Sequence, residues 1–86
     1  MIVTLSPRAE KQLRKLSKVN QIIIAENIRS LLQQSTKEEQ LKGHKRIYRV
    51  RVGDYRIVYR KTKDEIYVVL IGHRSEIYKL VARLLR

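Results

Sequence analysis

Residues 48–60 read YRVRVGDYRIVYR, and no other stretch constrains the fold as much. Apolar and basic side chains alternate on either side of Gly53-Asp54, the pattern of two β-strands joined by a tight turn. Glycine at the first central position is what a two-residue type II′ turn requires. Such a turn sets the register, so that Val52 opposes Tyr55, Val50 opposes Ile57 and Tyr48 opposes Tyr59, all on one apolar face. On the other face Arg51 stands opposite Arg56, Arg49 opposite Val58 and Arg60 opposite Ile47. Like charges directly across a strand pair destabilise it by roughly 0.2–1 kcal/mol. The fold gains nothing from the Arg51/Arg56 pairing, whereas a bound phosphate would reverse its sign. A solvated outer strand also alternates polar with apolar residues, but it mixes Lys, Glu and Thr. Here the one acid is Asp54, in the turn.

The remaining elements follow from periodicity. Ile2 to Leu5 is a short β-prone run, and Ser6-Pro7 reads as an N-cap with proline at the first helical position. Ala9, Leu13 and Leu16 then recur at helical spacing among Arg8, Lys11, Arg14, Lys15 and Lys18. After a break near residues 17–20, a second stripe runs through Ile24, Ala25, Ile28, Leu31 and Leu32. The two helices are expected to form a hairpin packed on the sheet. Residues 33–40 carry no apolar anchor and read as a helix end and a loop. Leu41-Lys42-Gly43-His44 leads into the hairpin, and a turn near residues 61–64 feeds a strand over residues 65–71, whose run VVLI suits burial on both faces. Gly72-His73-Arg74 leaves that strand. Ser75 is placed to cap a last helix striped by Ile77, Leu80, Val81 and Leu84. The expected fold is a small α+β single domain over residues 1–86 in the order βααβββα. An antiparallel sheet carries the helical hairpin and a short C-terminal helix.

Composition narrows the partners. Lys and Arg number 20 against 8 Asp and Glu, a formal net charge of +12 in 86 residues. Such a balance strains the compact state by self-repulsion and favours association with polyanions or acidic proteins. With 43% hydrophobic residues in periodic segments, a disordered basic tail is disfavoured. No cysteine is present, no apolar run approaches a membrane span, and the N-terminus lacks a signal-peptide pattern. A cytoplasmic protein with no membrane contact is therefore expected. Two isolated histidines without cysteine offer no metal-ligand spacing, so no metal or other cofactor is expected.

The element order, RVRVGDYRIVYR and the later IGHRSEIY together resemble the RelE branch of the RelE/ParE toxin superfamily. The first motif is shared across the superfamily; the glycine, basic pair, Ser-Glu and tyrosine of the second are more RelE-like than ParE-like. The resemblance implies a toxin of a type II toxin-antitoxin system that enters the ribosomal A site and cleaves mRNA, and that a cognate acidic RelB-like antitoxin silences. Operator DNA would be contacted only through the antitoxin complex. ParE-like members instead inhibit DNA gyrase by binding, and that reading stays open beside the first, as does an inactive remnant that only binds RNA. Carried over by position, the resemblance places hairpin cations at Arg49, Arg51 and Arg56, a strand-end cation at Arg74, a tyrosine at Tyr78 and a basic residue before the loop glycine at Lys42. Arg49, Arg51, Arg56, Arg74 and Tyr78 form the expected catalytic set. Lys42, His44, Lys45, Arg46, Arg60 and His73 are expected to bind RNA.

Metal-independent RNA cleavage needs an aligned 2′-hydroxyl, a proton acceptor, cations on the developing phosphorane and a donor for the 5′-oxygen. Arginines supply the cations, since a guanidinium matches two phosphate oxygens and stays charged at any workable pH. That permanence leaves the acceptor unassigned. His44 and His73 have suitable intrinsic pKa values near 6.5, with His73 the stronger candidate beside Arg74, although most histidines in basic proteins are structural. No carboxylate is legible in the basic hairpin beyond Asp54. Tyr48, Tyr55 and Tyr59 share the apolar hairpin face and are expected in the core, while Tyr78 lies off the last helix's stripe, where it can stack on a base. The Lys/Arg run of the first helix reads as a solvated face that can also rest on ribosomal RNA backbone.

Overall fold

Gly53 has a φ of +59°, which a side chain would strain, and Asp54 does not share a positive φ. This turn joins β3 (Ile47–Val52) to β4 (Tyr55–Lys61) in the register expected from it, with Arg51 opposite Arg56 and Arg49 opposite Val58. The computed structural model describes residues 1–33 and 38–84. Part of the expected loop, residues 34–37, lies outside the described residues. The other elements are β1 (Ile2–Leu5), α1 (Pro7–Arg14), α2 (Lys18–Ser30), β2 (Glu38–Gln40), β5 (Glu65–His73) and α3 (Ile77–Leu84). The α+β class and the order βααβββα are as expected, with two additions. One is the short strand β2 ahead of the meander; the other is that β1 pairs with β5 in parallel, giving the order β1-β5-β4-β3-β2. β1 is separated from β5 by two helices and three strands, so no hairpin imposes an antiparallel pairing.

One sheet face packs under α1 and α2 through Ala9, Ile24, Ile28 and Leu31 against Val50, Val52, Ile57 and Tyr59. The other carries a smaller cluster, Ile47, Val58, Leu70 and Ile77, which docks α3. β5 serves both clusters, as its VVLI run predicts. A β-bulge helps it to do so: Val58 pairs with Leu70 and Tyr59 with Val68, leaving Val69 without a β4 partner. Two side chains of the α1 region tie that helix to β5. The Ser6 hydroxyl caps α1 at the Ala9 amide (2.9 Å) and donates to the Val69 carbonyl (2.7 Å), and Gln12 accepts from the Ile71 amide at 2.8 Å.

Several local expectations shift. Ser17 caps α2 through the Asn20 amide, so residues 18–20 are already helical and the break is shorter. Leu32 lies past the end of α2 and is exposed, as is Leu84 at the end of α3. Ser75 does not cap α3; its hydroxyl sits 2.9 Å from His73 Nδ1, and the Glu76 carbonyl accepts the first helical amide bonds. No helix among the described residues is long and apolar enough to cross a membrane.

β2 is held by a side chain as well as by its ladder. Glu38 accepts from the Tyr59 hydroxyl at 2.7 Å and from Lys61 Nζ at 2.8 Å, both on β4 and beyond the intervening β3. Burial alone would raise the Glu38 pKa, but hydrogen bonds from Lys61 and Tyr59 and the Lys61 charge outweigh it and hold it below the usual value of 4.5. A lowered carboxylate pKa stabilises the fold above the unfolded-state value, and the contribution is lost as pH falls through the folded-state value. Glu38→Gln is expected to cost about 1–2 kcal/mol at pH 7. Urea unfolding at pH 7 and again well below 4.5 should show the gap from wild type narrowing on acidification; a constant gap would place the stabilisation elsewhere.

Candidate nucleic-acid interface and active site

α3 covers only the middle of its sheet face, and the strip nearest the hairpin turn stays open. Strand alternation projects Arg49, Arg51 and Arg56 onto that strip. Gly72, opposite Arg56, lets Ile77 approach closely, since a Cβ there would lie 3.0 Å from Ile77 Cδ1. Ile77 is fully buried, so the next residue, Tyr78, turns outward and is 46% exposed beside the arginines. The position off the apolar stripe that singled out Tyr78 is therefore what brings it to the cleft.

Arg49 joins the parts. Its Nη1 donates to the Tyr78 hydroxyl at 2.8 Å, its Nη2 donates to Glu39 Oε2 at 2.9 Å, and its guanidinium carbon lies 5.3 Å from the Tyr78 ring centroid. The hydrogen bond to Glu39 raises the Arg49 pKa, desolvation opposes it, and the charges of Tyr78 and Glu39 add to the rise. Glu39, Arg49, Arg51, Arg56 and Tyr78 line a cleft of about 170 Å³. Arg56 donates through Nη1 to the Gly53 and Tyr55 carbonyls at 3.1 and 3.0 Å, while Arg51 has no ion-pair partner among the described residues. A second groove of about 340 Å³, lined by Gln40, Leu41, Lys42, His44, Arg49 and Val81, shares Arg49 with the first. Basic and histidine side chains thus follow one path from Arg56 past Arg49 to Lys42 and His44.

The other expected site residues fall at varied distances from this path. Arg74 sits at the hairpin turn, its amide donating to the Asp54 carbonyl at 2.7 Å and its Nε 3.8 Å from Asp54 Oδ1. Lys45 and Arg46 are exposed in the loop before β3, where their carbonyls accept from Gln40 and the Lys61 amide. Arg60 lies beyond Val58, stacked at 5.2 Å on the Tyr67 ring, and the α3 cluster separates it from Arg56. His73 is not on the arginine face. β5 continues through His73, which pairs with Tyr55, so alternation sends its ring to the face of α1 and α2. There it meets the Tyr55 ring edge-on at 5.8 Å and lines a cavity with Asn20 and Ile23. Its Nδ1 accepts from the Ser75 amide at 3.1 Å, which leaves the proton of the neutral ring on Nε2.

The residue that sequence reasoning missed is Glu39. It lies on β2 opposite Arg49 and places a carboxylate inside the arginine cleft, contrary to the expectation that Asp54 was the only acid nearby. Only the non-local β2–β3 pairing discloses it. Chemically, Arg51 and Arg56 offer donors to a phosphate, Glu39 offers a proton acceptor, and Tyr78 offers a π-face and a hydroxyl. Because that hydroxyl accepts from Arg49, its own proton is free to donate.

Comparison with known proteins agrees with this architecture. The family model described as ParE toxin of the type II toxin-antitoxin system parDE matches residues 3–78. The chain therefore belongs to this family, within the RelE/ParE superfamily, and is a toxin of a type II toxin-antitoxin system. Among solved structures it is similar to a chain of the RelB-RelE antitoxin-toxin complex from Methanococcus jannaschii, with 28% identity over 90% of this chain and 96% of that one and a TM-score of 0.67. A mutant of the E. coli toxin RelE in the free state shares the fold at 24% identity, 96% coverage of both chains and a TM-score of 0.76. YafQ from E. coli does so at 13% identity, 88% and 96% coverage and a TM-score of 0.71. No curated protein matches the sequence.

The opposed arginines make a direct prediction. Arg51→Ala should leave thermal stability unchanged or slightly raised, because one of two repelling charges is gone; in Arg56→Ala the same relief is offset by the loss of its bonds to the Gly53 and Tyr55 carbonyls, and the protein should stay folded. Each should weaken binding of a 2′-deoxy oligonucleotide and reduce the slope of log affinity against log salt by about 1. Loss of folding in both variants would show the arginines to be structural.

Proposed function

We propose that this toxin is a metal-independent endoribonuclease that cleaves mRNA in the ribosomal A site and so arrests translation. The observation that carries the reading is the joining of Glu39, Arg49 and Tyr78 by hydrogen bonds in the cleft that Arg51 and Arg56 complete. A protein that only binds a partner has no need of convergent cations around a carboxylate. In this reading the scissile phosphate takes donors from Arg51, Arg56 and Arg49, and Glu39 accepts the 2′-hydroxyl proton. The 2′-oxygen attacks phosphorus, the bond to the 5′-oxygen breaks, and Tyr78 donates a proton to that oxygen. A 2′,3′-cyclic phosphate and a 5′-hydroxyl result. Arg74 adds charge from the turn, and Lys42 and His44 continue the backbone path. Lys45, Arg46 and Arg60 make weaker, outlying contacts.

The ribosome supplies what the cleft lacks. Glu39 is 71% exposed and Arg51 is open to solvent, so among the described residues the cleft has no enclosed place to hold a 2′-hydroxyl in line. Alignment is worth up to roughly 7–11 kcal/mol in favourable cases, more than the 10² to 10⁴-fold, to order of magnitude, that one general base contributes. The partner that silences the toxin is an acidic RelB-like antitoxin, as the complex from M. jannaschii and the charge of +12 support. Contact with operator DNA would come through that antitoxin, and the setting is the cytoplasm.

A second reading, gyrase inhibition by binding alone, is favoured by one observation: the matching family model is that of ParE. The two readings separate in one assay. Cleavage of a transcript in a stalled ribosome with an empty A site is expected to be efficient, and cleavage of the same naked transcript very slow. Glu39→Gln should slow the ribosomal reaction by about 10² to 10⁴-fold. Equal rates on both substrates would remove the ribosome from the account. No cleavage of either, with gyrase supercoiling inhibited, would establish the binding reading.

A further inference from the structure

β2 is a three-residue edge strand with the sequence Glu-Glu-Gln. None of these residues favours a strand, and none is apolar, so neither propensity nor a buried face sets its register. Register matters here because the side-chain period is 2. A slip by one residue would exchange the faces of Glu38 and Glu39, turning Glu39 toward α1 and α2 and Glu38 toward the arginines. Two adjacent glutamates thus compete for one place opposite Arg49.

We propose that Glu38 is a positioning residue, which locks β2 in the register that presents Glu39 to Arg49. Its carboxylate reaches past β3 to the Tyr59 hydroxyl and to Lys61 Nζ, at 2.7 and 2.8 Å. Tyr59 is buried in the core, so the anchor is rigid. Lys61 lies 5.8 Å from the Tyr48 ring centroid, which confines its ammonium. Gln40, on the same side of β2 as Glu38, donates to the carbonyls of His44 and Lys45 at 3.3 and 2.7 Å and fixes the strand's other end. Glu39 is therefore flanked by two tethered neighbours. With Glu38 slipped opposite Arg49, Glu39 would fall opposite Tyr48 rather than at the Val50 level from which Glu38 reaches Tyr59 and Lys61, and Gln40 would leave the side of the strand from which it bonds the His44 and Lys45 carbonyls.

The functional part of this inference rests on Glu39 as the proton acceptor; the register part does not, and the experiment keeps them apart. Amide hydrogen exchange at Glu39 and Arg49 reads the register in Glu38→Gln and in Tyr59→Phe, two variants that remove the lock from opposite ends. Both should lose protection in the β2–β3 ladder by about tenfold or more while the β4–β5 amides keep theirs. Unchanged protection in both overturns the proposal. In single-turnover cleavage on stalled ribosomes, Glu38→Gln should lower the maximal rate by about tenfold without changing the half-saturating ribosome concentration. Added to Glu39→Gln it should cause no further loss, because a glutamine at position 39 cannot accept the 2′-hydroxyl proton wherever β2 places it. Multiplying losses in the double variant would show Glu38 acting apart from Glu39 and would overturn the positioning role. A wild-type rate in Glu39→Gln alone would instead sink the reading of the chemistry, while the exchange measurement still decides the register.

Discussion

The register of the β3–β4 hairpin is the constraint from which the rest of the site follows. A two-residue turn with glycine at positive φ permits one pairing, and that pairing puts Tyr48, Val50, Val52, Tyr55, Ile57 and Tyr59 on the helix side. Apolar burial of that face holds the register firmly. The arginines opposite inherit their positions from it, including the unfavourable meeting of Arg51 and Arg56. A core on one face thus sustains a charge cluster on the other that would not form alone, at a cost of only several tenths of a kcal/mol up to about 1 kcal/mol.

Two flanking elements turn this cluster into a cleft. α3 docks by Ile77 over Val58 and Leu70, closing the middle of the face and setting Tyr78 at its edge. β2 closes the other side and brings Glu39 to Arg49. Arg49 is the junction, bonded to both and lying in both grooves. An exposed ion pair such as Glu39 with Arg49 contributes little to stability. Its value is geometric: it keeps a carboxylate among cations, where, in the proposed function, an incoming phosphate would take over Arg49 and leave Glu39 to accept a proton.

Much of this was legible in the chain. Gly53-Asp54 determined the hairpin pairing, Ser6-Pro7 announced α1, and the stripe through Ile77, Leu80 and Val81 isolated Tyr78. What was not legible depended on pairings distant in sequence. Glu38–Gln40 looks like solvated loop because its residues disfavour strands; the ladder with β3, and Tyr59 and Lys61 more than 20 positions away, make it a strand. His73 reads from sequence as a residue at a strand exit beside Arg74, and so as an RNA-binding candidate. β5 in fact runs two residues further, through His73, and strand alternation then sends the ring to the face of α1 and α2. Ser75 likewise reads as a cap, yet the ring of His73 captures it. Arg60 shares its face with Arg56, but tertiary cover by α3 separates them.

In the proposed function the Arg51/Arg56 repulsion is relieved when a polyanion binds. Ligand binding to the folded state stabilises it in proportion to the logarithm of ligand concentration over Kd. The most direct measurement is the thermal unfolding temperature of the wild type and of the Arg51→Ala/Arg56→Ala double variant across a titration of a short 2′-deoxy oligonucleotide that resists cleavage. The wild type should show a rise that grows with concentration, and the double variant a much smaller rise from its own starting point. Equal rises in the two proteins would contradict this, since the stabilising contacts would then lie elsewhere on this basic surface.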